Sequence, residues 1–350
     1  GTANESYAQF GHGGLGARGD HGETDAGMVR DILRLVSGGN ITFSGGVTAA
    51  GVTGERSYAQ LGHGGREADQ PNRVYATNGS IAPDNSVPAA PGFPTALERV
   101  GNEADITVTS TGGGITFNAG DHDEAYAQLG HGGAFTDGDH IGDITVSAAN
   151  AITFNANAIA GVTSNDGTNL APNERYVQLG HGGFYASGGH VGDIGVTSTT
   201  GGLAFTASRN SNGYAHLGHG GRNGHRVIRN NPPTRMNNEN DRFYTGTHTG
   251  DIAVDVEGNI AFTGNLGGTG AFGYVQIGHG GGRSAAVAGE GHEGSISVIS
   301  DGSIDFEAGR RNQSYAQIGH GGYEAFGNHG RFDKDGDMTI QNAIYVEGED

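Results

Sequence analysis

Tyr126-Ala127-Gln128-Leu129-Gly130-His131-Gly132-Gly133 is written, with small changes, seven times in 350 residues. The copies begin at Tyr7, Tyr58, Tyr126, Tyr176, Tyr214, Tyr274 and Tyr315, at spacings that range from 38 to 68 residues. An octet that stays nearly constant while the chain between copies changes length is the mark of a stacked repeat protein. In such a protein each unit contacts chiefly its neighbours, and insertions become surface loops.

Two further patterns recur between octets. The first is Asp-Ile-x-Val: Asp105 to Val108, Asp143 to Val146, Asp193 to Val196 and Asp251 to Val254, with Ser295 to Val298 as a variant. The second is Ile-Thr-Phe or a near relative, at Ile41 to Phe43, Ile115 to Phe117, Ile152 to Phe154, Leu203 to Phe205, Ile260 to Phe262 and Ile304 to Phe306. Strict alternation of β-branched and aromatic residues predicts strands whose alternate side chains face one core. Ile144, Val146, Ile152, Phe154, Ala127 and Leu129 are therefore expected to lie in core rows. The expected fold is all-β: a parallel β-helix of about seven three-stranded coils, stacked about 4.8 Å apart, with almost no helix. Residues 1–350 read as a single solenoid segment. The stretches 66–103, 155–174 and 222–249 interrupt it and are expected to be surface loops, since proline in the first and last cannot donate to a sheet ladder.

Composition excludes several classes of function. Glycine accounts for 69 residues, ~3 times ordinary usage. Cysteine is absent, so neither disulfides nor thiolate metal sites contribute. Asp and Glu total 38 against 19 Lys and Arg, for a formal charge of −19. Such a surface repels nucleic acid and anionic membranes and attracts divalent cations. No hydrophobic run approaches a bilayer span. The chain opens at Gly1, six residues before its first octet, and reads as a mature or excised part of something longer.

The two tips look complementary. Asp337 to Asp350 are expected to supply a first strand (Met338 to Gln341) and a second (Ile344 to Val346), and Tyr7 to Gly14 the missing third. Placing Gly1 after Asp350 would complete a turn of normal spacing. Tyr7, Ala8, Phe10, Met338, Ile340, Ile344 and Val346 then form a polymer interface, either between subunits or between tandem copies in a giant chain. The partner is the chain itself, and a contact that does not close into a ring grows into a filament.

Histidine is concentrated in two sets. Seven lie in the octets, among them His12, His131, His181, His279 and His320; the second set precedes the Asp-Ile strand (His21, His140, His190, His248, His292, His329). Stacking converts each set into a column. One reading is a stripe binding a transition metal through neutral imidazoles. The favoured one is a scaffold in which rings bond neighbouring turns, because the glycines flanking each octet histidine demand a specific backbone shape. A calcium loop at Asp333, Asp335 and Asp337 is a second metal candidate, although the downstream bidentate Glu is missing.

The same parity places Tyr58, Gln60, Tyr126, Gln128, Tyr176, Gln178, Tyr315 and Gln317 on the outward side of the octet strands. There they would form a flat aromatic-amide ladder suited to sugar binding or lateral packing. Simple cross-turn stacking is the plainer reading.

The Gly-Asp-Ile-Thr-Val, Asn-Ile-Thr-Phe and Tyr-Ala-Gln-Leu-Gly-His-Gly-Gly runs resemble the repeats of filamentous-haemagglutinin-like proteins and autotransporter passengers. The resemblance implies a right-handed β-helix, export to the bacterial surface, and an adhesive or matrix role towards a surface polysaccharide or host surface. Parallel β-helices also host polysaccharide lyases and hydrolases, which makes carbohydrate processing the alternative. Catalysis needs one special place, whereas this sequence repeats its unusual residues in every turn. The expectation is therefore a non-enzymatic structural protein.

Overall fold

A computed structural model describes residues 6–17, 32–46, 56–68, 101–120, 124–136, 138–156, 174–186, 188–208, 211–223, 226–228, 242–244, 247–264, 271–284, 291–325, 328–329 and 344–348. Among these residues there is no helix, and the strands stack into parallel sheets in chain order, one rung per repeat. The chain is a parallel β-solenoid. The octet strands form one seven-membered sheet, the Asp-Ile strands a second, and the Ile-Thr-Phe strands a third, of six members. A fourth sheet joins these three. Its strands are only two or three residues long, such as Asp139–Ile141 and His190–Val191, and five of its six members carry the second histidine set at His140, His190, His248, His292 and His329.

Register is strict. Tyr58 pairs with Tyr126, Ile144 with Ile194, and Phe154 with Phe205, so each rung places like residues upon like. The six residues expected in core rows are all fully buried, in one continuous apolar cluster running the length of the described solenoid. Phe117, Phe154, Phe205 and Phe262 of this cluster stack in one file with Phe43 and Phe306 at its two ends, ring centroids 4.7 to 5.1 Å apart. Strand spacing sets that distance, so the backbone ladder and the ring stack reinforce one another.

Glycine is required at the octet corner. At Gly130, φ is +146°, and an added Cβ would lie 2.0 Å from the carbonyl oxygen of Gly180 in the next rung. Only a residue without a side chain lets two rungs approach so closely.

Two expectations need correction. Ile344 to Val346 do not form a second strand: Ile344–Gly348 extends the Asp-Ile sheet, with Ile344 opposite Ile296 and Val346 opposite Val298. The alternation Ile-Tyr-Val satisfies a first-strand row as readily as a second-strand row, and the sheet claims it. Met338, Ile340, Asp333, Asp335 and Asp337 lie outside the described residues. So does most of each insertion, although Arg226–Ile228 and Arg242–Tyr244 pair as an antiparallel hairpin within 222–249.

The second correction concerns the Tyr and Gln ladder. Tyr58, Gln60, Tyr126, Gln128, Tyr176 and Gln178 are fully buried, and Tyr315 and Gln317 are half-buried, rather than lying on the surface. Their side of the strand is covered because the chain turns back after the octet. Ala134, Phe135 and Phe184 close over the tyrosine rings as a second apolar cluster. The octet strand is thus buried on both faces, and no flat aromatic strip is offered to a sugar.

Candidate functional site

Tyrosine, glutamine and histidine of successive octets form one continuous hydrogen-bonded column. Gln128 Nε2 donates to the carbonyl of His131 in its own rung (3.2 Å) and to those of Gly180 (3.4 Å) and Gly182 (2.8 Å) in the next. The hydroxyl of Tyr176, from that next rung, donates back to Gln128 Oε1 at 3.3 Å. Gln60 and Gln178 repeat the pattern. Gly133 makes room for the tyrosine of its own rung: a Cβ there would meet the Tyr126 hydroxyl at 2.8 Å. The tyrosine rings stack at 4.8 to 5.0 Å from Tyr7 through Tyr315.

Histidine completes the column. The amide of His63 donates to His131 Nδ1 at 2.9 Å, that of His131 to His181 Nδ1 at 2.9 Å, and that of His279 to His320 Nδ1 at 3.1 Å. On the other side of the ring, Nε2 faces a carbonyl oxygen: His131 that of Ala104 (2.8 Å), His181 that of Gly142 (2.8 Å), His279 that of Gly250 (2.7 Å), and His320 that of Gly294 (2.7 Å). A nitrogen that accepts an amide must carry a lone pair, and one facing a carbonyl must carry the proton. The surroundings therefore specify the neutral ring protonated at Nε2. Burial pushes the pKa of His131, His181 and His279 well below the ordinary range, and neighbouring imidazoles push it further. In His219 burial lowers it to about 4.

This arrangement bears on the metal candidates. Where Nδ1 accepts an amide and Nε2 donates to a carbonyl, neither nitrogen offers a lone pair to an ion. Adjacent rings are also parallel and 4.7 to 5.0 Å apart, so an ion between two of them would sit outside both ring planes. Among the described residues no group of three or more His, Asp or Glu is placed to hold a metal. His12, in the first rung, is exposed and stacks on His63 at 5.0 Å.

The second column runs Asn102, His140, His190, His248, His292, with the histidine rings 4.7 to 5.0 Å apart. Asn102 Nδ2 lies 3.1 Å from His140 Nδ1, and Ser284 Oγ 3.2 Å from His292 Nε2. His140 is held at about 3 by burial.

Two further columns escaped the sequence reading. Two residues before each octet, Arg56, Glu124, Glu174, Asn212, Phe272 and Gln313 all adopt φ between 55° and 65°. Four residues after each octet histidine, Glu67, Phe135, Tyr185, Asn223, Arg283 and Glu324 do the same, at 51° to 60°. Left-handed backbone is unusual outside glycine, and a Gly16-like residue would have flagged it. Here the residue types differ from rung to rung, so no pattern announces the turn. Aromatic and charged side chains clasp these columns: Arg66 lies over the Phe135 ring at 4.8 Å and pairs with Glu124, and Phe272 sits between Arg222 (5.1 Å) and Arg283 (4.9 Å).

No family model, curated protein or solved structure matches this chain.

Proposed function

We propose that this chain is a non-enzymatic structural segment of an extracellular fibre, extended by head-to-tail continuation of its β-helix. The supporting observation is the contrast between end rungs and middle rungs. Tyr7 is 50% exposed and Phe10 39%, whereas their equivalents Tyr126 and Leu129 are at 0%. At the other end, Ile344 and Val346 are 52% and 46% exposed, against 1% and 0% for Ile296 and Val298 directly below them. The end rungs thus show core-type side chains that the middle rungs keep covered by a neighbouring rung. Covering them buries apolar area at roughly 25 cal/mol per Å² and satisfies the edges. The resemblance of the repeats to filamentous-haemagglutinin-like proteins supports an adhesive role at a bacterial surface. The repetition of every polar column supports a structural role over a catalytic one.

Electron microscopy of the purified chain tests the reading. Linear particles with a repeat of one chain length and backbone continuous through the joint are expected. Monodisperse particles of about one chain mass at every concentration would refute it.

A further inference from the structure

One corner of the solenoid is built twice, once with acids and once without. Eight residues after the octet tyrosine stand Arg66 in the second rung and Arg222 in the fifth, both buried, at 2% and 3% exposure. Arg66 lies over the Phe135 ring of the next rung, pairs with Glu124 there, and has Glu67 Oε1 3.5 Å from its Nε. Around Arg222 all three positions differ: Phe272 stands in the place of Glu124, Arg283 in that of Phe135, and Asn223 in that of Glu67. The Arg222 guanidinium lies 5.1 Å from the Phe272 ring centroid, Nη1 reaches the Phe272 carbonyl only at 3.5 Å, and Nε has no hydrogen-bond partner. Among the described residues no carboxylate comes within ion-pair distance of it. Arg283 stacks on the same ring at 4.9 Å and is itself paired with Glu324 at 2.8 Å.

Room adjoins this guanidinium. The place that Ala134 takes in the rung after Arg66 belongs to Gly282 in the rung after Arg222. Backbone shape does not demand glycine here, because the φ of Gly282 lies outside the left-handed region. A Cβ would meet Arg222 Nη1 at 3.4 Å and the Tyr274 ring at 3.5 Å, which are ordinary contacts. The missing side chain therefore leaves a space bounded by Arg222 and Tyr274. We propose that Arg222, Arg283, Phe272 and Gly282 form a binding site for one oxyanion, the carboxylate or sulfate group of a ligand, which takes the part that Glu124 plays beside Arg66.

Three physical arguments bear on this site. A buried charge without a counter-charge is expensive, and burial lowers the Arg222 pKa from its ordinary value. An oxyanion restores the counter-charge that Glu124 supplies to Arg66. The planar guanidinium fork takes such a group by two parallel hydrogen bonds, for which the unused Nε is one donor. Phe272 holds both cations against its ring before any ligand arrives, so little ordering is left to bind it. Selectivity comes from the rest of the chain. Its formal charge of −19 repels anions in general, whereas this corner sets two guanidiniums against the single carboxylate of Glu324.

Calorimetric titration of the full 350-residue chain with sodium sulfate, and separately with sodium glucuronate, tests this, with ionic strength held constant by sodium chloride. Wild type is expected to show one saturable site for at least one of the two. Sulfate alone would identify an inorganic oxyanion as the ligand, and glucuronate a sugar carboxylate. Arg222→Gln should weaken binding on the order of tenfold or more, the loss of one charge-assisted contact. Phe272→Glu is the second variant and needs no loss of the cation. Glu124 already adopts φ 55° at the equivalent position, against 65° for Phe272, so the backbone accepts the new side chain. Its carboxylate should occupy the site from within and abolish binding, and far-UV circular dichroism confirms that each variant is folded. No saturable heat with either anion in wild type would overturn the site. Binding in folded Arg222→Gln or folded Phe272→Glu as tight as in wild type would overturn it equally.

Discussion

The amide nitrogen of His131 lies 2.9 Å from Nδ1 of His181, one rung away, so an imidazole replaces the backbone carbonyl that would ordinarily accept it. A carbonyl tolerates acid, whereas an imidazole in this position does not. The ladder therefore depends on a neutral ring.

Replacing His181 by Ala removes the acceptor for the His131 amide and the donor to Gly142, and opens a ring-sized gap. The expected loss is about 3–5 kcal/mol. His12→Ala, at the exposed edge, should cost less than about 1 kcal/mol. Urea unfolding midpoints of the two variants make the comparison; equal losses would contradict the buried role of the column.

Acid should weaken the fold. The buried octet histidines have folded pKa values below the unfolded value of about 6.5. The unfolded chain therefore binds protons first. Stability is complete above that value, and falls as pH drops below it towards about 4, the value to which His219 is lowered. The thermal midpoint should decline steadily across this window. A midpoint that does not move between neutral pH and the lower bound would show that the rings are not held neutral.

Not all glycines are equal. Gly130→Ala would thrust a Cβ to 2.0 Å from the Gly180 oxygen at φ +146° and should abolish cooperative folding. Gly195→Ala meets nothing within 4 Å, and its rung neighbours are Thr145 and Ala253. That variant should be neutral or slightly stabilising, because alanine restricts the unfolded chain. Thermal melts of both variants check the contrast.

The fifth octet holds an imperfection that can be repaired. His216 stands where other octets have Gln; it donates to the Gly278 carbonyl at 2.6 Å, and its Nδ1 and the Tyr274 hydroxyl make no hydrogen bond to one another. His216→Gln should restore the tyrosine-to-glutamine bond and a donor to Gly280, raising stability by about 1 kcal/mol. A lower melting temperature in the variant would count against the column as drawn.

Much of this architecture was legible because it is repeated. The positions of Ile144, Val146, Phe154 and Leu129 follow from alternation alone, and the pairing of like residues follows from chain order. Inward and outward parity was also readable for Tyr126 and Gln128. What parity could not reveal is that the outward side is roofed, because the residues forming the roof, Phe135 and Phe184 among them, belong to turns of changing composition. The short fourth strand was hidden for a related reason: Asp139–Ile141 and His190–Val191 are too brief for any period to register. Ile344 to Val346 fitted two rows equally, and only pairing with Ile296 to Val298 decided between them.

The left-handed turn four residues past each octet histidine has a consequence for how such a chain diversifies. Its backbone is set by the corner around it, yet it carries an acid at Glu67 and Glu324, an aromatic ring at Phe135 and Tyr185, an amide at Asn223 and a base at Arg283. These rungs thus mount different side chains on a like post. A lineage can rewrite the text displayed along its flank, one character per storey, while the masonry behind it stays unaltered.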